Sequence, residues 1–336
     1  MNDGSSPRSL VPETPTPAFA VALFGRTSRE DLAAFSSSAL VILAEYAWRH
    51  LLSERMPGAH ALRIFDPEGA DPAFGGISVI EIVNDDMPFL LDSTLAELAA
   101  QGVEARLVAH PILGVARDEN GRVTGVVNNP NGATLPGESL IHIHVARLDE
   151  GGRARLIEGL DKVLADVRAC VGDWAAMRVR LEEAIKDWRD APPVLPADEI
   201  AEAIQFLEWL AADNFTFLGM REYRLDEFSG NGGVDFNPMG HTGLGILRDP
   251  DLKVLRRGRE LVNITPEVRE FLEQKQALII TKANVLARVH RRAHMDYIGV
   301  KQFTPGGRLV GELRIVGLFT ATAYTRPAAQ IGRAHV

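Results

Sequence analysis

The chain holds a single cysteine, Cys170, among 336 residues. That excludes an internal disulfide and leaves no cysteine cluster for a structural zinc site. No apolar run approaches the roughly 20 residues that a membrane span needs. The first residues, MNDGSSPRSLVPETPTPAFA, lack the charged start and long apolar core of a secretory signal, so residues 1–28 read as a disordered tail. A cytoplasmic protein with no membrane partner is expected. Positive charge is also short: the net charge is −9, which argues against a general nucleic-acid partner. Neither a dinucleotide fingerprint nor a phosphate loop is present. The nearest approach, Gly243-Leu244-Gly245-Ile246-Leu247-Arg248, has no third glycine and no following Lys-Ser or Lys-Thr. A Gly-x-Ser-x-Gly elbow is missing as well, and no nucleophile comes with a recognisable base. His290 and His294 stand four apart among strand-forming neighbours, where the gap would be roughly 13 Å. His142 and His144 share one strand face but have no third ligand beyond carboxylates. No metal site and no catalytic residue is expected.

What is present is material for about two domains. Residues 29–55 carry apolar side chains at helical spacing and predict one long helix ended by Pro57 and Gly58. ALRIF and ISVIEIV read as strands, and a helix follows as far as Gly102. VEARLVAHPILGVARDENGRVTGVV reads as two strands joined by a two-residue turn at Asn120-Gly121, and ESLIHIHVARL as a third. The pattern predicts an α+β sandwich, an antiparallel sheet with helices on one face. From 153 to 190, Leu160, Val167, Trp174, Leu181 and Trp188 fall seven apart, giving a helical arm with a possible break at Gly172-Asp173. PPVLP at 192–196 closes it. A second α+β unit follows: a helix, the strand FTFLGMREYRL, a loop over SGNGGVDFNPMGHTG, a short helix TPEVREFLEQK, the strand LIITK, and two long half-exposed strands joined by a type II turn at Thr304–Gly307. Residues 251–325 hold 13 Lys and Arg against 7 Asp and Glu. Such asymmetry fits docking on an acidic surface, or simply a solvated basic face.

One stretch stands apart. In Asn84-Asp85-Asp86-Met87-Pro88-Phe89-Leu90-Leu91 a strand gives way to a helix. Pro88 suits the first helical turn, and Asp86 can cap it. Such junctions present free backbone N–H groups to an anionic ligand, and they also occur where nothing binds. Asp86 through Leu91 resembles the Asp-x-Pro-Gly-Leu-Leu signature of ACT domains, small regulatory modules that bind amino acids. Further blocks, among them HPILGVARDENG, FLEWLAADNFTFLGMREYRL, VHRRAHMDYIGVK and GELRIVGLFTATAY, resemble in order the N-terminal region of the large bacterial NAD-specific glutamate dehydrogenases.

The resemblance implies ACT-like (ferredoxin-like) modules at 29–150 and 197–330, joined by a helical arm and linker at 151–196. It implies a regulatory and oligomer-forming region of an enzyme that oxidises L-glutamate to 2-oxoglutarate and ammonium with NAD. NAD binding and catalysis would lie outside this segment. A homo-oligomer and an amino-acid effector are the implied partners. The alternatives are a stand-alone amino-acid-binding regulator and a scaffold that binds nothing. Asp85, Asp86, Met87, Pro88, Phe89, Leu90 and Leu91 form the candidate site, either for a ligand or as a structural junction. Phe89 stands where the signature has glycine, so its ring should fill the ligand space or turn inward, and the two aspartates should repel a ligand carboxylate. The last six residues, IGRAHV, are what ATCGGAAGAGCACACGTC of a common sequencing adapter encodes, and are expected to be an artefact that truncates the natural sequence.

Overall fold

The computed structural model describes residues 11–127, 135–227, 234–255, 276–321 and 323. The expected helix at TPEVREFLEQK and the IGRAHV terminus lie outside them. The chain divides into two compact units, Met1–Ala165 and Asp166–Val336. Both are α+β with an antiparallel sheet.

The first unit begins with helices where a tail was expected. Helix α1 (Pro17–Phe24) starts at Thr16, whose Oγ1 accepts from Phe19 N at 3.2 Å, and it buries Phe19, Leu23 and Phe24. The Pro/Ser/Thr bias that suggested disorder instead supplies a cap and a first-turn proline. The expected long helix is two: α2 (Arg29–Leu32) and α3 (Ser37–Leu51). Ser36 breaks it, its Oγ accepting from Ala39 N at 3.1 Å to begin α3.

Strands β1 (Ala61–Phe65), β2 (Ile77–Asp85), β4 (Ile112–Arg117), β5 (Val123–Val127) and β6 (Gly137–Ala146) pair in the order β1-β2-β6-β4-β5. Strand β3 (Ala105–Ala109) also pairs with β6. The run read as one strand is broken at His110-Pro111, because proline ends the ladder there. The turn to β5 is not the two-residue kind. Gly121 N donates to Asp118 O and Asp118 N to Arg122 O, with Gly121 at φ 77°. This is a turn followed by a left-handed residue. Thr304–Gly307 repeats it, with the positive φ at Gly307 and not at Gly306, so the expected type II turn is also replaced.

On one face of the sheet, Val79, Val83, Leu107, Leu113 and Leu140 form a core with α1 and α3. The alternate residues Ile80, Ile82, Ile141 and Ile143 are buried too. Both faces are therefore covered, not one. Helix α4 (Leu90–Ala100) lies against α5 (Glu150–Asp190), where Gln101 Nε2 donates to Arg155 O at 3.2 Å. The 41-residue α5 runs through Gly172-Asp173 without a break.

In the second unit, Met177, Leu181, Ile185 and Trp188 of α5 and Phe206 and Leu207 of α6 (Ala197–Trp209) pack on one sheet face. The sheet runs β10-β11-β12-β7-β8, with β9 (Leu244–Gly245) on β7. Its other members are β7 (Phe215–Glu227), β8 (Val234–Pro238), β10 (Leu278–Leu286), β11 (His294–Phe303) and β12 (Leu309–Phe319). Strand β8 occupies part of the stretch read as a loop. Strands β11 and β12 are largely buried, where half-exposed strands were expected. Their charges turn inward to each other: Glu312 accepts from Tyr297 OH and from Arg314 Nε, and Arg314 stacks 3.6 Å over the Tyr223 ring. His290 sits at φ 69° before β11 starts at His294, so these two do not share a strand. Among the described residues no helix is long and apolar enough to cross a membrane.

Candidate functional site

The junction after β2 is built around an unusual backbone. Phe89 occupies the N-cap position of α4 at φ 72°, ψ −1°, left-handed, and no side chain caps the helix. Bulky residues avoid this region because Cβ crowds the backbone carbonyl. A glycine takes it freely, whereas here the position carries a phenyl ring. Pro88 precedes the cap and is exposed, outside the first turn where it was expected.

Asp86 does not cap α4. Its backbone N donates to Gly137 O at 2.9 Å, and its Oδ1 accepts from Ser139 Oγ at 2.7 Å. His110 Nε2 lies 3.0 Å from the same hydroxyl. The left-handed turn carries the chain away from the helix axis and aims Asp86 at β6 instead. Asp85 parts from Asp86 altogether: it accepts from Arg55 Nη2 at 2.7 Å and from Gly58 N at 2.7 Å. Of the seven candidate residues, Asp86 through Leu91 line one open depression of about 290 Å³, together with Asp92, His110 and Ile112. Leu90 is buried, while Phe89 and Leu91 are half-buried along its wall.

Burial lowers the His110 imidazole below its ordinary range, against the opposing pull of Asp86 and Asp92. The lining holds two carboxylates, Asp86 and Asp92, and the Arg26 guanidinium is near enough to add to the lowering of His110. A ligand carboxylate is disfavoured there; an ammonium group is not. Ser139 is not an activated nucleophile, because its proton goes to Asp86. His110 and Ser139 escaped the sequence reading. Only the β4–β6 register, with Ile112 opposite Ser139, brings them together.

Residues 19–160 match the family model for the ACT1 domain of glutamate dehydrogenase. Those residues make up most of the first unit, Met1–Ala165. The chain is also 33% identical over 312 residues to an NAD-specific glutamate dehydrogenase of Halomonas elongata, covering 91% of this chain. It is 28% identical over 318 residues to one of Pseudomonas aeruginosa, covering 93%. In each case it spans 19% of the relative's length.

The matched segment takes in most of α1, which lies in the stretch first read as tail, and all of α2 and α3. Two buried ionic clusters hold it together. Glu138 accepts from Arg117 Nε at 2.7 Å and pairs with Arg55 at 2.6 Å. Arg117 also donates to Ser53 O, Leu51 O and Gly121 O, tying the end of α3 to the sheet. The second cluster contains the paired histidines. His142 Nδ1 lies 3.0 Å from Glu81 Oε1, and the two Nε2 atoms of His142 and His144 are 2.8 Å apart. Arg63 Nε reaches Glu81 Oε2 at 2.8 Å. These histidines bind each other and a carboxylate within the domain core.

Cys170, in the second unit, is buried, and burial pushes its thiol up to about 12. It is inert as a nucleophile.

Proposed function

We propose that the chain is the N-terminal regulatory and oligomer-forming region of a cytoplasmic NAD-dependent glutamate dehydrogenase, which converts L-glutamate and NAD to 2-oxoglutarate, ammonium and NADH. The observation that carries this reading is the likeness to two NAD-specific glutamate dehydrogenases along more than nine-tenths of the chain. Hydride transfer to NAD needs a site that orients nicotinamide against the substrate α-carbon. On this reading other parts of the enzyme supply it, and this segment neither binds NAD nor catalyses. The boundaries at 29–150, 151–196 and 197–330 stand in this proposal as two ACT-like modules and a connecting arm, with self-association as the partner interaction.

At the Asp86–Leu91 junction the proposed role is structural rather than amino-acid sensing. Asp86 spends one oxygen on Ser139, the glycine position holds a phenyl ring, and the depression is open and acidic. A thermal-shift screen of the purified chain against the twenty amino acids tests this. No ligand should raise the midpoint by more than about 1 °C. Stabilisation of several degrees by one amino acid, abolished by Asp86→Ala, would make the junction a working sensor.

A further inference from the structure

The core of the ACT1 domain holds a hydrogen-bonded series that its packing does not require. A carboxylate only accepts, so in the neutral pair His142 Nδ1 carries the proton given to Glu81. Its Nε2 then accepts from His144 Nε2–H, which leaves His144 Nδ1 a bare lone pair. That atom is buried and has no hydrogen-bond partner. The pair is also where the N-terminal helices meet the sheet. Phe24 of α1 meets the His142 ring edge-on at 5.9 Å, and Phe35, between α2 and α3, meets His144 at 5.1 Å.

We propose that Glu81, His142 and His144 form a proton-operated latch, closed when the imidazole pair is neutral and released when it takes up a proton, freeing α1 and the Phe35 segment from the sheet. Glu81 alone favours an added charge, on His142, and at His144 the surroundings make it costly. Glu81 on β2 is the carboxylate in reach, and Arg63 on β1 already neutralises it. His50 on α3 is the other titratable neighbour, and its imidazole is pushed below its ordinary range by burial. Strand β3 offers Leu107 and Ala109, and the helical layer offers Phe24 and Phe35, all apolar. A proton placed on His144 Nδ1 finds no acceptor. Placed on His142 Nε2, it forces His144 to change tautomer and again leaves an N–H with no acceptor. Either way a cation sits in an apolar interior without a free counter-charge. Once the helices lift, water solvates it. Burial, with His142 alongside, holds the His144 imidazole down at about 2 in the closed state.

Hydrogen exchange of the Phe19–Phe24 amides, measured on the whole chain and corrected for intrinsic rates, reads the latch. Opening should rise about tenfold or more between about pH 7.5 and about pH 5. In His144→Phe, which removes the imidazole whose Nδ1 has no partner and leaves His142 alone to take up a proton, the change should shrink at least severalfold. An unchanged pH response in that variant overturns the proposal. If the variant does not fold, ¹⁵N resonances of the imidazoles in the unmodified chain decide. Proton uptake by the pair should coincide with loss of α1 protection. Uptake while α1 stays protected overturns it.

Discussion

Phe89 holds a left-handed backbone that glycine would adopt freely, yet carries a phenyl ring. A non-glycine residue in the left-handed region carries about 1 kcal/mol of strain. Phe89→Gly should therefore be more stable than Phe89→Ala by about 1 kcal/mol in urea unfolding. Equal stabilities would mean that the turn relaxes and the left-handed geometry is not imposed by its surroundings. Glu138 gives a sharper case. It is the carboxylate shared by two buried arginines, and Glu138→Gln should cost about 3 kcal/mol, because it leaves buried guanidinium charge unmatched. A loss under about 0.5 kcal/mol would assign the arginines' stabilisation to their carbonyl contacts instead. Three histidines of the first unit, His50, His110 and His144, are all lowered by burial. For such groups the unfolded chain binds more protons below its own value near 6.5, so their neutral form stabilises the fold above that pH. Unfolding free energy should fall as pH drops below about 6.5. A flat profile from about pH 7.5 to about pH 5 would contradict their burial.

At the scale of elements, strand and helix positions were largely legible from periodicity. ISVIEIV, ESLIHIHV and the Leu90–Ala100 helix stand close to where alternation and helical spacing put them. What escaped depended on partners distant in sequence. Asp86 looks like a cap until Ser139 is brought beside it by strand register. The Pro-rich start looks like a tail until Phe19 and Leu23 find Trp48 and Leu51. The charged residues of β11 and β12 look exposed until Glu312 meets Tyr297 and Arg314. Along the seven-residue stripe of α5, Leu181 is buried in the second unit's own core, whereas Trp174 is 46% exposed with Arg178 over its ring. Leu181→Glu should therefore unfold that unit, at a cost of about 4 kcal/mol or more. Trp174→Glu should change stability by less than about 0.5 kcal/mol. Circular dichroism melts separate the two. A folded Leu181→Glu protein that merely changes oligomeric state would make the stripe an interface.

For the whole molecule, the chain divides into two α+β units of similar size and contains one continuous 41-residue helix. The ACT1 match covers most of the first unit, and the likeness to the Halomonas elongata enzyme, over 312 residues, extends through most of the second. Calorimetric titration of the chain with NAD should give no saturable heat. A micromolar site would place cofactor chemistry within these residues. On the proposed reading this sequence serves a glutamate-oxidising enzyme. That reading is tested most directly by tagging the natural protein that carries the sequence, isolating that protein from its cells, and following NADH formation with L-glutamate and NAD. The account predicts glutamate-dependent reduction of NAD by the isolated protein. An intact, soluble preparation that reduces no NAD with L-glutamate would contradict it.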